Sequence, residues 1–442
     1  MTELYDAFIS YGRADSKAFA AQLCQHLTNQ GYRIWFDFND IPLGVDFQNQ
    51  INDGIEKAHN FLYVIAPHSV NSVYCAKEVE LALMRGKRII PLLHVEHIHR
   101  ETWQQRYPTG TDAQWADYQA QGLHSSFTNM HPEISKINWV YMREGQDNLG
   151  ASVAGLIDIF ERHRDHVHSH TRLLVKALEW EQQHRQSSHL LVAEERQRAE
   201  DWLLTRFNHE QPPCRPTDLH CEFITESLKN ARNLMTQVFL THADEDKDSV
   251  KQVRLSLMRA GLTVWTNTTD IQTGADYQMA INQGIEEADN LVYLLSPDSL
   301  QSSYCQQELD YALLLNKRVI PVLVKPIDGI PIPDVLKTLQ YIDLTDNLGT
   351  EDYQKDESDL LRILRQDADY YDNHKQLLVK ALKWKQQEGN ASILLRGYNL
   401  HHGEKWLQLA KQRPRHCHTS LHEVVIEASL RQPPATSLDV FV

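Results

Sequence analysis

Ser72-Val-Tyr-Cys-Ala-Lys-Glu78-Val-Glu-Leu-Ala-Leu-Met-Arg-Gly-Lys87 occurs a second time as Ser302-Ser-Tyr-Cys-Gln-Gln-Glu308-Leu-Asp-Tyr-Ala-Leu-Leu-Leu-Asn-Lys317. In each copy an aromatic, Tyr74 or Tyr304, precedes a glutamate, Glu78 or Glu308, by four residues. At 3.6 residues per turn this spacing puts ring and carboxylate on one helical face, a turn apart. Each helix then runs into an apolar strand, Arg88-Ile-Ile-Pro-Leu-Leu93 or Arg318-Val-Ile-Pro-Val-Leu323. The rest of the chain builds a sheet behind this helix or joins one copy to the next.

Working outward, Trp35 maps to Trp265, Gly44 to Gly274, Gly54 to Gly284 and Pro91 to Pro321, each 230 residues apart. Beyond the strand the offset changes. His170-Thr-Arg-Leu-Leu-Val-Lys-Ala-Leu-Glu-Trp180 matches His374-Lys-Gln-Leu-Leu-Val-Lys-Ala-Leu-Lys-Trp384 at 204, so the first copy carries a net insertion of 26 residues. The segment His94–Lys136, rich in His, Gln and Trp and following neither helix nor strand period, is its expected place. The chain thus divides into an α/β domain at 1–165 with an insertion near 94–136, a helical spacer at 166–233, a second α/β domain at 234–370 and a helical tail at 371–435. The last residues, Ser437-Leu-Asp-Val-Phe-Val442, resemble the openings Leu4-Tyr-Asp-Ala-Phe-Ile9 and Met235-Thr-Gln-Val-Phe-Leu240. Residues 436–442 are therefore a candidate first strand of a further repeat, in a chain that stops there. A frayed apolar tail fits so short a match equally well.

Within one unit, Tyr5–Ser10 reads as a strand. Tyr11-Gly-Arg-Ala-Asp15 reads as a turn into a helix with apolar face Phe19, Leu23 and Leu27, closed by Gly31. Arg33–Phe36 is a second strand and Asp37–Asp46 a loop. Phe47, Ile51 and Ile55 give a helical stripe. Phe61–Ile65 lacks polar alternation, as a strand covered on both faces does. Pro67 and Ser69 break the chain before the Tyr74 helix. Arg88–Leu93, Asn138–Tyr141 and a closing helix at Ala151–Arg162 complete the unit. Strand and helix alternate throughout, so each unit is expected to be a flavodoxin-like, five-stranded parallel sheet flanked by helices and followed by a small helical region. Ligands of such sheets sit beyond the carboxyl ends of the strands, where Ser10–Arg13, Asp37 and the loop before Tyr74 fall. The tails carry Leu173, Leu174, Ala177, Leu178, Trp180 and Trp202, too apolar for flexible linkers. Ser420-Leu-His-Glu423 reads as a capping box.

Composition narrows the class. With 442 residues, 42% apolar and 23% charged, the chain can bury several cores. A net charge of −15 speaks against a nucleic-acid partner. The apolar runs are far short of the ~20 residues of a membrane span. Met1-Thr-Glu-Leu-Tyr-Asp has neither the basic lead nor the apolar core of a signal peptide. Six cysteines without disulfide spacing fit a reducing, cytoplasmic setting. The 23 histidines, among them His94, His97 and His99, read as solvated polar residues, and no metal is expected. Cys214 and Cys221 lack the second pair of a zinc knuckle, and no GxxxxGK loop occurs.

Phe8-Ile-Ser-Tyr11 with Arg13 and Asp15, the long loop Asp37–Asp46 before Phe47, and the Ser72–Glu78 helix together resemble the TIR (Toll/interleukin-1 receptor) domain in its bacterial form. The resemblance covers most of 5–93 and 138–162, and again 237–325 and 340–366. It implies one of two functions. Many bacterial members are signalling or defence effectors that cleave NAD+ at the nicotinamide–ribosyl bond once assembled, with a catalytic glutamate at the place of Glu78 and, in the second copy, Glu308. Other members are non-enzymatic scaffolds that bind further TIR domains. On the first reading NAD+ is the substrate, no cofactor is held permanently, and Ser10, Tyr11, Arg13, Asp37, Tyr74 and Tyr304 line the dinucleotide site. Other TIR domains, by self-association or on neighbouring chains, are partners on both.

The chemistry suits these residue types. The ribosyl bond breaks through an oxocarbenium-like state. Nicotinamide leaves as a neutral base, so no acid is needed, and one carboxylate against the ribose stabilises the developing charge. Tyr74 stands a turn away to stack on a heteroaromatic ring, and Arg13 matches a pyrophosphate bidentately. Plainer roles stand beside these: a solvated Glu78, a packing Tyr74, and Ser10, Arg13 and Asp37 capping strand ends. The second copy departs from the pattern, with His242 for Tyr11, Asp244 for Arg13 and Asn267 for Asp37. An acid in place of Arg13 repels a pyrophosphate, so the first domain is expected to be the active one and the second a partner or weak enzyme.

Overall fold

The computed structural model describes residues 3–36, 47–207, 210–233, 235–271, 276–345 and 359–431. Asp37 and the candidate strand at 436–442 lie outside the described residues. The chain forms two compact units, Met1–His189 with Gln197–Phe223, and Leu190–Arg196 with Ile224–Val442.

In the first unit β1 (Tyr5–Ser10), β2 (Ile34–Trp35), β3 (Ala58–Ile65), β4 (Arg88–Leu93) and β5 (Val140–Tyr141) pair in the order β2-β1-β3-β4-β5, all parallel. This is the expected flavodoxin-like order, with β3 buried along its whole length. Successive side chains of a strand face opposite sides. Ala7, Ile9, Leu62, Val64, Ile90 and Leu92 accordingly pack with Leu23 and Leu27 of the Arg13–Asn29 helix and Leu156 of the Leu149–Glu161 helix. Phe8, Phe61, Tyr63, Ile65 and Ile89 pack with Ile51 and Ile55 of the Phe47–Lys57 helix and Val79 of the Val73–Met84 helix. The second unit repeats the sheet with β6 (Thr236–Thr241), β7 (Val264–Trp265), β8 (Ala288–Leu295), β9 (Arg318–Leu323) and β10 (Ile342–Asp343), in the order β10-β9-β8-β6-β7.

The helix that organises each unit is closed at both ends by its own sequence. Ser72 Oγ accepts from Cys75 N and Ser302 Oγ from Cys305 N, each at 3.3 Å. Gly86 at φ 63° and Asn316 at φ 55° take the left-handed position after the last turn, where Lys87 N donates to Ala82 O and Lys317 N to Ala312 O. A side chain on Gly86 would meet Arg215 O at 2.2 Å, so only glycine fits there.

The amino ends of the strands carry a second repeated arrangement. Arg88 donates to Asn60 Oδ1, Arg162 O and Phe160 O, and Arg318 does the same to Asn290 Oδ1, Gln366 O and Leu364 O. Helix Arg164–Gln182 packs there through Thr171, and its His168 stacks on His59 at 3.6 Å. In the second unit, helix Ala368–Gln386 puts a charged triad at the matching positions: Lys375 Nζ pairs with Asp289 at 2.8 Å and Asp372 at 3.0 Å. The tails are packed, not loose. Trp202 Nε1 donates to His166 O and Trp406 Nε1 to Tyr370 O, both at 3.0 Å. His220 Nδ1 accepts from Thr217 N, which leaves Nε2 to donate to His170 O at 2.9 Å. His422 repeats the arrangement with Thr419 and His374 O.

Some local expectations are corrected. The insertion is helical at Arg100–Arg106 and Asp112–Ala120. Those turns are held by ring contacts among Trp103, Tyr107, Trp115 and Tyr118, which leave no apolar stripe to read. Pro67–Val70 is a helical turn with Pro at its start, where a missing N–H costs nothing. The capping box before the last described helix is Thr419 with His422, one residue earlier than read.

Candidate functional site

Ser10 ends β1, so the residues after it emerge at the carboxyl edge of the sheet. Ser10 and Tyr11 are buried, and the Tyr11 ring stacks on Phe36 at 5.2 Å. Arg13 opens the following helix and is exposed. Cys75 Sγ donates to Tyr11 O at 3.4 Å, which ties the start of the Tyr74 helix to the end of β1. Tyr74 is 58% exposed, so it is not a packing aromatic. Glu78 is half-buried one turn on. Burial, and then the Glu78 charge, pushes the Cys75 thiol up to about 12, so Cys75 is no nucleophile at neutral pH. The structure thus brings Ser10, Tyr74 and Glu78 to one edge, with Arg13 at the adjoining helix start, whereas the Tyr11 ring packs with Phe36, Leu23 and Leu27 in the core on the other face of the sheet.

In the second unit the matching residues converge on one cleft of about 720 Å3, lined among others by His242, Asp244, Asn267, Tyr304 and Glu308. Tyr304 is 60% exposed and Glu308 only 7%. Burial pushes the Glu308 carboxyl up to about 8, with Thr241, the counterpart of Ser10, pulling weakly the other way. At neutral pH Glu308 is mostly a neutral acid. His242 Nδ1 donates to Leu240 O at 3.0 Å, and burial holds the ring neutral. The His242 ring lies within hydrogen-bonding reach of Asn267, and the Glu308 carboxyl within reach of Thr241.

Sequence reasoning missed two cations at the rim. Arg106, from the insertion, donates to His68 Nε2 and, at 2.7 Å, to Ala14 O. Burial and Arg106 hold His68 neutral against the pull of Asp15. Lys325, just beyond β9, pairs with Asp246 at 2.6 Å and Asp298 at 3.5 Å and donates to Glu245 O at 3.3 Å. By strand register Glu245 and Asp298 stand where Ala14 and His68 stand. Two cations from unrelated stretches therefore bridge the same two elements. No spacing rule predicts this, because Arg106 comes from a segment the second unit lacks.

Among the described residues no group of His, Cys, Asp or Glu is gathered as a metal site, and no helix is long and apolar enough to cross a membrane.

The fold is that of a TIR domain present twice. The family model for the TIR domain matches residues 7–131 and 238–361, more than half of the chain, and the chain belongs to that family. It is 27% identical over 97 residues to the 2′ cyclic ADP-D-ribose synthase BtTIR of Bacteroides thetaiotaomicron, covering 21% of this chain and 34% of that protein. It is 27% identical over 94 residues to the NAD(+) hydrolase TcpA of a Theionarchaea archaeon, covering 20% and 29%. The chain spans about a third of the length of these curated relatives. Among solved structures, the TIR domain of the Toll-related receptor TRR-2 of Hydra magnipapillata aligns at TM-score 0.25 and 24% identity, covering 29% of this chain and 98% of that one.

Proposed function

We propose that this chain cleaves NAD+ at the nicotinamide–ribosyl bond, that the first TIR domain does so, and that Glu78 is its catalytic carboxylate. The carrying observation is the difference in charge between the two rims. Arg13, Ala14 and His68, with Arg106 against them, stand where the second domain has Asp244, Glu245 and Asp298. A basic rim suits a pyrophosphate and an acidic one opposes it. On this reading the half-buried Glu78 meets the ribose of a dinucleotide held by Arg13, and the exposed Tyr74 stacks on the departing ring. Ser10 and Asp37 complete the proposed dinucleotide site. The names of BtTIR and TcpA support the substrate.

On this reading the chain is a cytoplasmic signalling or defence effector, dormant until TIR domains assemble. The second domain, tethered at high effective concentration, is an assembly partner. The division into domains at 1–165 and 234–370 with helical regions at 166–233 and 371–435 belongs to the same proposal. A non-enzymatic scaffold is the competing reading. Nicotinamide release by the purified chain, and its loss in Glu78→Gln, separates the two.

A further inference from the structure

We infer that a cleft at the amino ends of the second sheet, on the edge away from the start of the Tyr304 helix, binds a phosphorylated nucleoside. The inference goes beyond NAD+ cleavage by the first domain and does not need it. The cleft, of about 610 Å3, lies between the approach to β6 and the Ala368–Gln386 helix. At its base Lys375, 1% exposed, donates to Thr236 O at 3.1 Å and pairs with Asp289 and Asp372. Taking such charges out of water is costly, and neutral groups of similar size usually serve a fold as well. The first unit bears this out, with His59, His168 and Thr171 at the places of Asp289, Asp372 and Lys375. The fold does not call for the buried triad, which leaves its charges to serve a ligand.

The lining is graded along the helix. Asp369 and Asp372 stand towards one end, Lys380 and Lys383 towards the other, and Arg232 belongs to the facing wall. At 1.5 Å per residue, Asp372 and Lys380 lie about 12 Å apart along the axis. Arg232, Lys380 and Lys383 make no ion pair among the described residues, and such cations suit a phosphate. Asp369 opposes an anion at its own end, so the phosphate falls at the lysine end. A carboxylate has about four acceptor sites, so Asp289 and Asp372 can take sugar hydroxyl protons while Lys375 holds them. Met235 and Val379, both half-buried, offer apolar contact to a flat base. Phosphate, sugar hydroxyls and base together make a nucleotide. Two of the cations belong to this copy alone, since Thr2 and Glu179 stand in sequence where Arg232 and Lys383 do.

Titration calorimetry of the full chain with 5′-AMP, adenosine and inorganic phosphate tests this. 5′-AMP is expected to bind at least about tenfold tighter than adenosine or phosphate, and to weaken as salt rises. Arg232→Thr with Lys383→Glu changes two exposed positions to the residues the first unit carries, which keeps the fold. That double change is expected to weaken 5′-AMP at least about tenfold. Tyr74→Ala with Tyr304→Ala, at the carboxyl edges of the sheets, is expected to leave 5′-AMP binding unchanged. The inference is overturned if 5′-AMP does not bind, if its binding survives Arg232→Thr with Lys383→Glu, if it is lost in Tyr74→Ala with Tyr304→Ala, or if adenosine or phosphate alone binds as tightly.

Discussion

Tyr304 and Glu308 stand one turn apart on the same helix face, the ring open to solvent and the carboxyl sealed from it. Burial raises the Glu308 carboxyl from 4.5 to about 8, so the folded protein holds a proton there that the unfolded chain has lost. The stabilisation is full below about pH 4.5 and is lost as pH rises through 8. Glu308→Gln is expected to stabilise the second domain above pH 8 by about 2–4 kcal/mol and to flatten its stability between pH 5 and 8. Urea unfolding across that range measures it.

The first unit carries the opposite dependence. His59 is driven to about 2 by burial and then by His168, and burial also lowers His168. Lys87, Arg164 and Arg172 add positive charge around the pair. Depressed imidazoles give stability that is full above about pH 6.5 and lost as pH falls. His170 and His220, both lowered by burial, act in the same sense. The unfolding midpoint is expected to drop between pH 6.5 and 4, and His59→Phe with His168→Phe to make that drop shallower.

At the matching place in the second unit, Lys375 is 1% exposed beside Asp289 at 6%. Burial raises the Asp289 carboxyl and Lys375 pulls it back. Removing one partner strands a buried charge, so Lys375→Met is expected to cost about 3–5 kcal/mol. Lys375→Met with Asp289→Leu should cost less than the single change. Chemical denaturation of both variants measures the difference.

Arg106 holds the Ala14 carbonyl and the His68 ring, and with them the turn that carries Arg13. Arg106→Gln is expected to speed amide exchange at Asp15 and Ser16 and to raise KM for NAD+ several-fold with kcat little changed. Arg106→Lys should restore both, since Lys325 does the same work in the second domain.

How much of this was legible depended on what each feature rests on. Tyr5–Ser10 and the parallel, helix-flanked sheet follow from local apolar runs and alternation, and both stand as read. Ile34–Trp35 is shorter than the four residues expected because only Ala7 and Phe8 pair with it at the sheet edge. The Arg100–Arg106 helix depends on aromatic contacts made after the chain folds back, which no periodicity records. The Tyr–Glu face was visible from spacing alone, yet the burial of Glu308 was not, since an exposed and a sealed glutamate occupy the same turn of the pattern. The exchange of a histidine stack for a Lys–Asp triad emerges only when two tails are seen against two sheets.

The most direct measurement is nicotinamide release from NAD+ by the purified full chain at concentrations where it self-associates, beside Glu78→Gln and Glu308→Gln. The account predicts release by the parent protein, a loss of at least about 100-fold in Glu78→Gln, and most of the rate kept in Glu308→Gln. Release that survives Glu78→Gln but is lost in Glu308→Gln would contradict the assignment to the first domain, and no release from any assembled form would leave the scaffold reading in its place.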